Sequence, residues 1–375
     1  MSDDFLTSEQ TENYGRYVAD PNEVQLARYF HLDERDLAFI NQRRGKHNRL
    51  GIALQLTTAR FLGTFLPDPL QIPSFIRFYI AAQLNISRPE ILSRYAEREN
   101  TRWEHQGLIK LYYDYHDFGD FPWTFRLKRL LYTRAWLSNE RPGLLFDFAT
   151  AWLLQNKILL PAASTLTRLI GEVRERASRR LWRRLALLPD SWQKTQLDGL
   201  LEIPEGQRIS VLEEMRKGPV TISGPSFTDA LERYTRLRSM EFSRLNFSGL
   251  PAIQLRNLAR YAGMASVKYI SRMPDERRLA VLTAFVKAQE ISALDEAVDV
   301  LDMLILDITR SAKNIGQKKR LRTLKDLDRA ALLLARACTL LLDENTDEAA
   351  LRQAIFRRIP KDLSLIHISE PTRPY

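Results

Sequence analysis

The chain has 375 residues, enough to bury a large core and hold two or three domains. Its 45% hydrophobic and 27% charged residues are ordinary for a globular protein, and a single cysteine, Cys338, excludes a disulfide framework or a cysteine-based zinc site. A net charge of +10, from 56 basic against 46 acidic residues with arginine the commoner base, suits contact with phosphate or nucleic acid.

With no disulfide to form, a reducing, cytoplasmic setting is expected, and residues 1–6 are acidic and lack the basic start and apolar core of a signal peptide. Residues 23–30 and 33–40 read as two short helices, the second with Asp33 as N-cap and acids in its first turn. Residues 50–61 read as a longer helix. Between the last two stand Gln42, Arg43, Arg44, Gly45, Lys46, His47, Asn48 and Arg49. Charges at this density face water or an anionic partner, because burial without pairing is too costly. The pattern is helix–turn–helix-like with a basic connection, which fits a phosphate grip and equally fits a solvated charged turn. His47, beside Lys46 and Arg49, can donate to phosphate or cap the helix.

Prolines at 67, 69 and 73 break the chain, and Ser74 reads as the cap of a helix to about residue 84. Ser87 with Glu90 reads as a capping box opening a helix that runs through Tyr95 and Trp103 to about residue 112. Residues 112–121, rich in aromatics and aspartate, read as a loop. Residues 125–137 form an amphipathic helix carrying Arg126, Lys128, Arg129 and Arg134, and residues 142–156 read as a buried helix. After a turn at 160–165, Ser164 is the expected cap of a long helix beginning beside Thr165. Leu166, Leu169, Ile170, Val173, Ala177, Leu181, Leu185 and Leu188 give it one apolar face. The other side carries Arg168, Arg174, Arg176, Arg179, Arg180, Arg183 and Arg184 against only Glu172 and Glu175, a basic stripe that points to nucleic-acid contact.

Beyond Pro189 the texture loosens. Residues 189–225 read as a linker region, with shorter helices at 226–242, 251–261 and 266–273. A long helix is expected over 275–314, then a basic turn (Lys318, Lys319, Arg320, Arg322) and a helix over 324–342. The apolar run 330–342 is too short to span a bilayer and is broken by Arg336, so no membrane segment is expected. Asp295, Asp299, Asp302 and, less well aligned, Glu296 line one face of the long helix and read as a solvated face or salt-bridge surface, since two-metal chemistry needs carboxylates from several elements. Asp114, His116, Asp117 and Asp120 imitate a metal cluster but are interleaved with aromatics that pin a loop. Gly45-Lys46 lacks the rest of a phosphate loop, and Cys338, in an apolar run, reads as a structural thiol.

The fold class is therefore all-α, with helix-turn-helix-like units at 1–66 and 67–188, a linker at 189–225 and a helical scaffold or dimerisation region at 226–362. Residues 363–373 read as one translated frame of a transposon-end sequencing adaptor. The tail 363–375 is accordingly set aside as artefactual, with the natural frame expected to continue past residue 362.

The run Ala38-Phe39-Ile40-Asn41-Gln42-Arg43-Arg44-Gly45, followed by His47-Asn48-Arg49-Leu50-Gly51, resembles the N-terminus of the Tn-three family of replicative transposases. Tyr95-Ala96-Glu97-Arg98 followed by His105, and Leu159-Leu160-Pro161 leading to Thr165-Leu166 and Arg168-Leu169, are similar to that family in order and spacing. The resemblance is close over about the first 190 residues and looser to residue 362. It implies the DNA-binding part of a bacterial transposase that recognises the terminal inverted repeats, as double-stranded DNA, of its own transposon. It also implies that the DDE carboxylates and their divalent metal, Mg, lie downstream; no residue here matches them. The chain alone is then expected to be non-catalytic and cofactor-free. A homodimer through the long helix stays open, and so does the other reading, a non-catalytic helical scaffold or interaction module with basic surfaces.

Overall fold

The computed structural model describes residues 5–97, 99–314 and 320–342, together with 353, 355 and 357. Among these the fold is all-α, with no strand beyond one isolated backbone bridge between His116 and Ile158. The chain divides into two compact units, residues 1–197 with 245–285, and residues 198–244 with 286–375.

The first unit opens with α1 (Ser8–Asn13) and α2 (Glu23–Gln25), each started by a capping box, from Thr7 and Asn22. A π-helical turn, Leu26–Phe30, then swings Phe30 into the core. Asp33 caps α3 (Glu34–Asn41) as expected, and Asp36 closes the box by accepting from the Asp33 amide. Gly45, at φ +83°, serves as N-cap of α4 (Lys46–Leu62), so the basic run 46–49 is the first turn of this helix rather than a loop before it. Every residue of α4 from Leu50 to Ala59 is buried. Around it lie α5 (Ser74–Gln83), α6 (Leu92–Ala96) and α7 (Glu99–Tyr113), which share one core with α3 and the π turn.

A second core joins α8 (Trp123–Leu137), α9 (Pro142–Gln155) and α10 (Ala163–Ala186) through Leu127, Leu131, Phe146, Leu153, Leu166 and Ile170. The later half of α10 continues into a third cluster, where Leu181 and Leu185 meet Trp136, Phe247, Leu255 and Ala280. That cluster draws on α14 (Ala252–Met264) and on the start of α16 (Asp275–Asn314), with the short α15 (Val267–Ser271) between them. The first and second cores are stitched at Gly63. This left-handed C-cap of α4 (φ +73°) accepts a 2.8 Å hydrogen bond from the Leu160 amide.

Three expected serine caps fail. Ser74 is already the first residue of α5, whose N-cap is Pro73, and α10 starts at Ala163 from Ala162, ahead of Ser164. Past Ser87 the chain enters a 3-10 turn (Pro89–Ile91) from Arg88, held extended by the proline that follows it, and the helix expected over 87–112 is broken into that turn, α6 and α7. The expected linker 189–225 contains α11 (Ser191–Gly199) and α12 (Val211–Met215), the latter opened by a Ser210–Glu213 capping box.

In the second unit, α13 (Gly224–Ser239) is tied to the later part of α16 by Arg233. This nearly buried side chain bonds Glu296 at 2.5 Å and the Lys217 carbonyl at 2.6 Å. Further along, α17 (Arg320–Leu341) carries Cys338, half-buried, with its thiol pKa raised by burial and by Asp302. Lys318, Lys319, the tail 363–375 and the side chains of Arg320 and Arg322 lie outside the described residues.

A Cβ added at Gly63 would stand 2.1 Å from a Leu154 methyl, at a backbone angle that L-residues avoid. Gly63→Ala is therefore expected to destabilise the protein by roughly 2–4 kcal/mol, strain and overpacking together. Urea denaturation followed by circular dichroism measures this, and an unchanged midpoint would refute the stitched arrangement.

Candidate nucleic-acid interface

Four residues, Gln42–Gly45, connect α3 to α4, and this turn is built by its own cations. Arg49 reaches back from α4 to donate through Nε to the Arg43 carbonyl at 3.0 Å, and Asn48 donates through Nδ2 to the Arg44 carbonyl at 2.9 Å. Arg43 lies with its guanidinium 5.5 Å from the Phe39 ring centre, and His47 folds over Gly45. These four side chains are half-buried, whereas Arg44 and Lys46 are exposed. The run of similar-looking charges thus divides into turn-builders and two freely solvated cations. Beside them are the first amides of α4, which have no acceptor within the helix and gather partial positive charge.

Below the turn lies a buried ion pair that sequence reasoning did not find. The Asp36 carboxylate, 1% exposed, receives both guanidinium arms of Arg60 (2.8 and 2.5 Å) and the Tyr113 hydroxyl (2.7 Å). Burial pushes its pKa up, but the Arg60 and Tyr113 hydrogen bonds and the Arg60 charge outweigh this and hold it below the usual aspartate range. Arg35 closes the corner by donating to the Tyr112 carbonyl and lying over the Tyr112 and Tyr113 rings. One cluster therefore clamps α3, α4 and the end of α7. Deeper still, His105 shares a 3.0 Å hydrogen bond with the buried Tyr95 hydroxyl and stacks on its ring. Burial, with the Arg43 charge nearby, lowers the His105 pKa to about 4, so the ring is neutral at pH 7.

The arginines of α10 divide in the same way. Arg180 donates to the Tyr132 hydroxyl (3.1 Å) and lies 5.0 Å from the Trp136 ring centre. Arg184 donates to the Gly249 carbonyl at 3.1 Å. Arg179 pairs with Glu175 at 2.5 Å; Arg183 and Glu276, and Arg168 and Glu172, make looser pairs at 3.7 and 3.9 Å. Arg176 is exposed and Arg174 half-buried, with its pKa lowered by burial; neither has an ion-pair partner among the described residues. Ser164 is exposed and Thr165 half-buried in the first turn of α10. Both basic stretches belong to the first unit.

The other candidates behave as solvated or pinned groups. Asp295, Asp299 and Asp302 are exposed, while Glu296 is taken by Arg233. In the loop after α7, Asp117 pairs with Lys110 and His116 packs on Trp123. Among the described residues no group of three or more His, Cys, Asp or Glu is placed to share a metal ion, and no helix is long and apolar enough to cross a membrane.

Residues 5–173 match a family described as a domain of unknown function, DUF4158. Over its full length the chain is 74% identical to the transposase for transposon gamma-delta of Escherichia coli strain K12, spanning 38% of that protein. It is 28% identical to the transposase for transposon Tn1546 of Enterococcus faecium, with 84% of the chain and 32% of the relative aligned. With the transposase for transposon Tn501 of Pseudomonas aeruginosa the identity is 29%, over 78% of the chain and 30% of the relative. The chain thus spans about a third of the length of the relatives it matches.

The buried groups predict acid sensitivity. A carboxylate or histidine whose pKa is lower folded than unfolded adds stability above its unfolded pKa and loses it as pH falls through the folded value. Stability should therefore fall from about pH 6.5 to 4 as unfolded chains take up a proton that His105 refuses, then further as Asp36 is protonated. The His105 contribution is on the order of 3 kcal/mol. His105→Gln should flatten the upper part of the curve; thermal melts from pH 7.5 to 3.5 that keep the same slope would contradict this.

Proposed function

The chain belongs to the Tn-three family of transposases, matching their N-terminal region, and on that premise we propose that it recognises the terminal inverted repeats of its transposon during replicative transposition. The carrying observation is the exposed pair Arg44, in the turn before α4, and Lys46, at the first position of α4, held on a buried scaffold. Two solvated cations beside free helix amides form a phosphate-binding corner whose geometry is set before DNA arrives. The turn from α3 to α4 is helix–turn–helix-like in connection, but the burial of residues 50–59 keeps α4 from lying along a groove. It presents its first turn instead.

The arginine face of α10 supplies the second grip. Phosphate contacts give most of the affinity and make it salt-dependent. Strand cleavage and joining, with their Mg ions and DDE carboxylates, belong on this reading to parts of the transposase that the chain does not span. The setting is the cytoplasm, and α16 is assigned a scaffolding or dimerising role.

A binding titration of the chain against an inverted-repeat duplex and a scrambled duplex, at two salt concentrations, tests the proposal. Preference for the repeat that persists at the higher salt supports it. Binding to neither duplex would overturn it in favour of a scaffold with basic surfaces. Arg44→Ala with Lys46→Ala should weaken binding to both duplexes and lower the slope of log affinity against log salt by about 2.

A further inference from the structure

α8 and α10 run in the same direction, since Leu127 and Leu131 share one core with Leu166 and Ile170 while Trp136 packs further along with Leu181 and Leu185, and the Arg180–Tyr132 hydrogen bond sets their register. Trp136, one turn further along α8, receives the same guanidinium on its ring face. One turn back from that contact, four residues earlier on each helix, stand Lys128 and Arg176. Residues 128, 132 and 136 share a stripe of α8, and 176, 180 and 184 share the facing stripe of α10. Lys128 and Arg176 therefore flank one groove. Both are exposed, and neither has an ion-pair partner among the described residues. Arg129 is exposed next to Lys128, and the nearest acid on the α10 stripe is Glu172, one turn away and drawn towards Arg168.

Like charges on facing stripes, neither paired with an acid, repel each other, a cost that an intervening anion removes. Arg180 adds a pinned cation. Its Tyr132 hydrogen bond uses one arm and its ring contact one face, leaving other N–H donors for a ligand. Lys128, Arg176 and Arg180 are all exposed, and they stand with tyrosine and tryptophan, a mixture that fits an extended polyanion better than a small metabolite.

We propose that the α8–α10 groove, with Lys128 and Arg176 at its rim and Arg180 braced by Tyr132 and Trp136, grips the phosphodiester backbone of duplex DNA. It extends the DNA-binding reading to a helix outside the basic stretches assigned above. Half of the second grip comes from α8, and Tyr132 is its positioning residue.

The test uses the whole chain carrying Lys128→Gln and Arg176→Gln together, titrated against inverted-repeat and scrambled duplexes across a salt series by fluorescence anisotropy. Both side chains are exposed, so the thermal midpoint should stay unchanged. The salt slope should fall by about 2 on both duplexes. Tyr132→Phe, which keeps the ring and removes only the acceptor for Arg180, should weaken binding several-fold at unchanged stability. An unchanged slope in the double variant, with the Arg44/Lys46 variant still losing affinity, would overturn the groove and leave the DNA reading standing. If the unaltered chain binds neither duplex, both fall together.

Discussion

A helix buried on all sides can meet a ligand only at its ends, and α4 is such a helix. Ten successive residues, Leu50–Ala59, leave no face for water, so the helix is a central post rather than a reading head. Its length and its neighbours are set by that burial. Gly51 has no room for a Cβ because the Tyr95 ring lies 2.4 Å from where one would stand, so α6 packs directly on the backbone of α4. Gly63 ends the post and ties it to the second core by accepting from the Leu160 amide. Apart from Arg60, everything charged on α4 is pushed to its beginning, where the turn from α3 delivers it to the surface.

That placement needs an anchor, and the Asp36–Arg60 pair provides it. A carboxylate removed from water is costly unless its lone pairs are met, and here a guanidinium fork, a phenol and the Asp33 amide meet them. The pair adds little net stability against an apolar substitute of equal shape. Loss of one partner is far worse, because it strands a buried charge. What the cluster gives is geometry. Arg60 lies near the end of α4, Asp36 in the first turn of α3 and Tyr113 at the end of α7, so three helix positions far apart in sequence are held in one angle. The solvated Arg44 and Lys46 inherit their position from that angle.

Much of this architecture could be read from the sequence, and the misses share a physical character. Helix type and most boundaries follow from apolar periodicity: the 275–314 and 142–156 patterns emerge within a residue as α16 and α9. The start of α4 escaped because Gly45 offers no capping side chain, only a positive φ. Asp36 looked like an acid complementing a helix dipole, since its partners lie 24 and 77 residues away, beyond any local pattern. The all-round apolar character of residues 50–59 did carry a signal of burial, masked by Gln55, Thr57 and Thr58. The division of arginines into braced and free was not legible at all. It depends on what stands opposite each one across a helix interface, as Tyr132 stands opposite Arg180.

That division bears on how such a surface discriminates. An unbraced arginine adapts to any phosphate and loses side-chain freedom when it does so, contributing affinity without register. A braced one has already lost much of that freedom on folding and accepts an anion only where its remaining donors point. With Arg180 pinned on α8 and the α3–α4 corner clamped by Asp36, the two phosphate-binding positions proposed above would both be kept in place by the fold of the first unit. A duplex satisfies both only if its groove width and phosphate spacing match, so rigidity converts sequence-blind contacts into a test of DNA shape. On the proposed reading, recognition of a repeat would begin in the spacing of its backbone, before any base edge is touched.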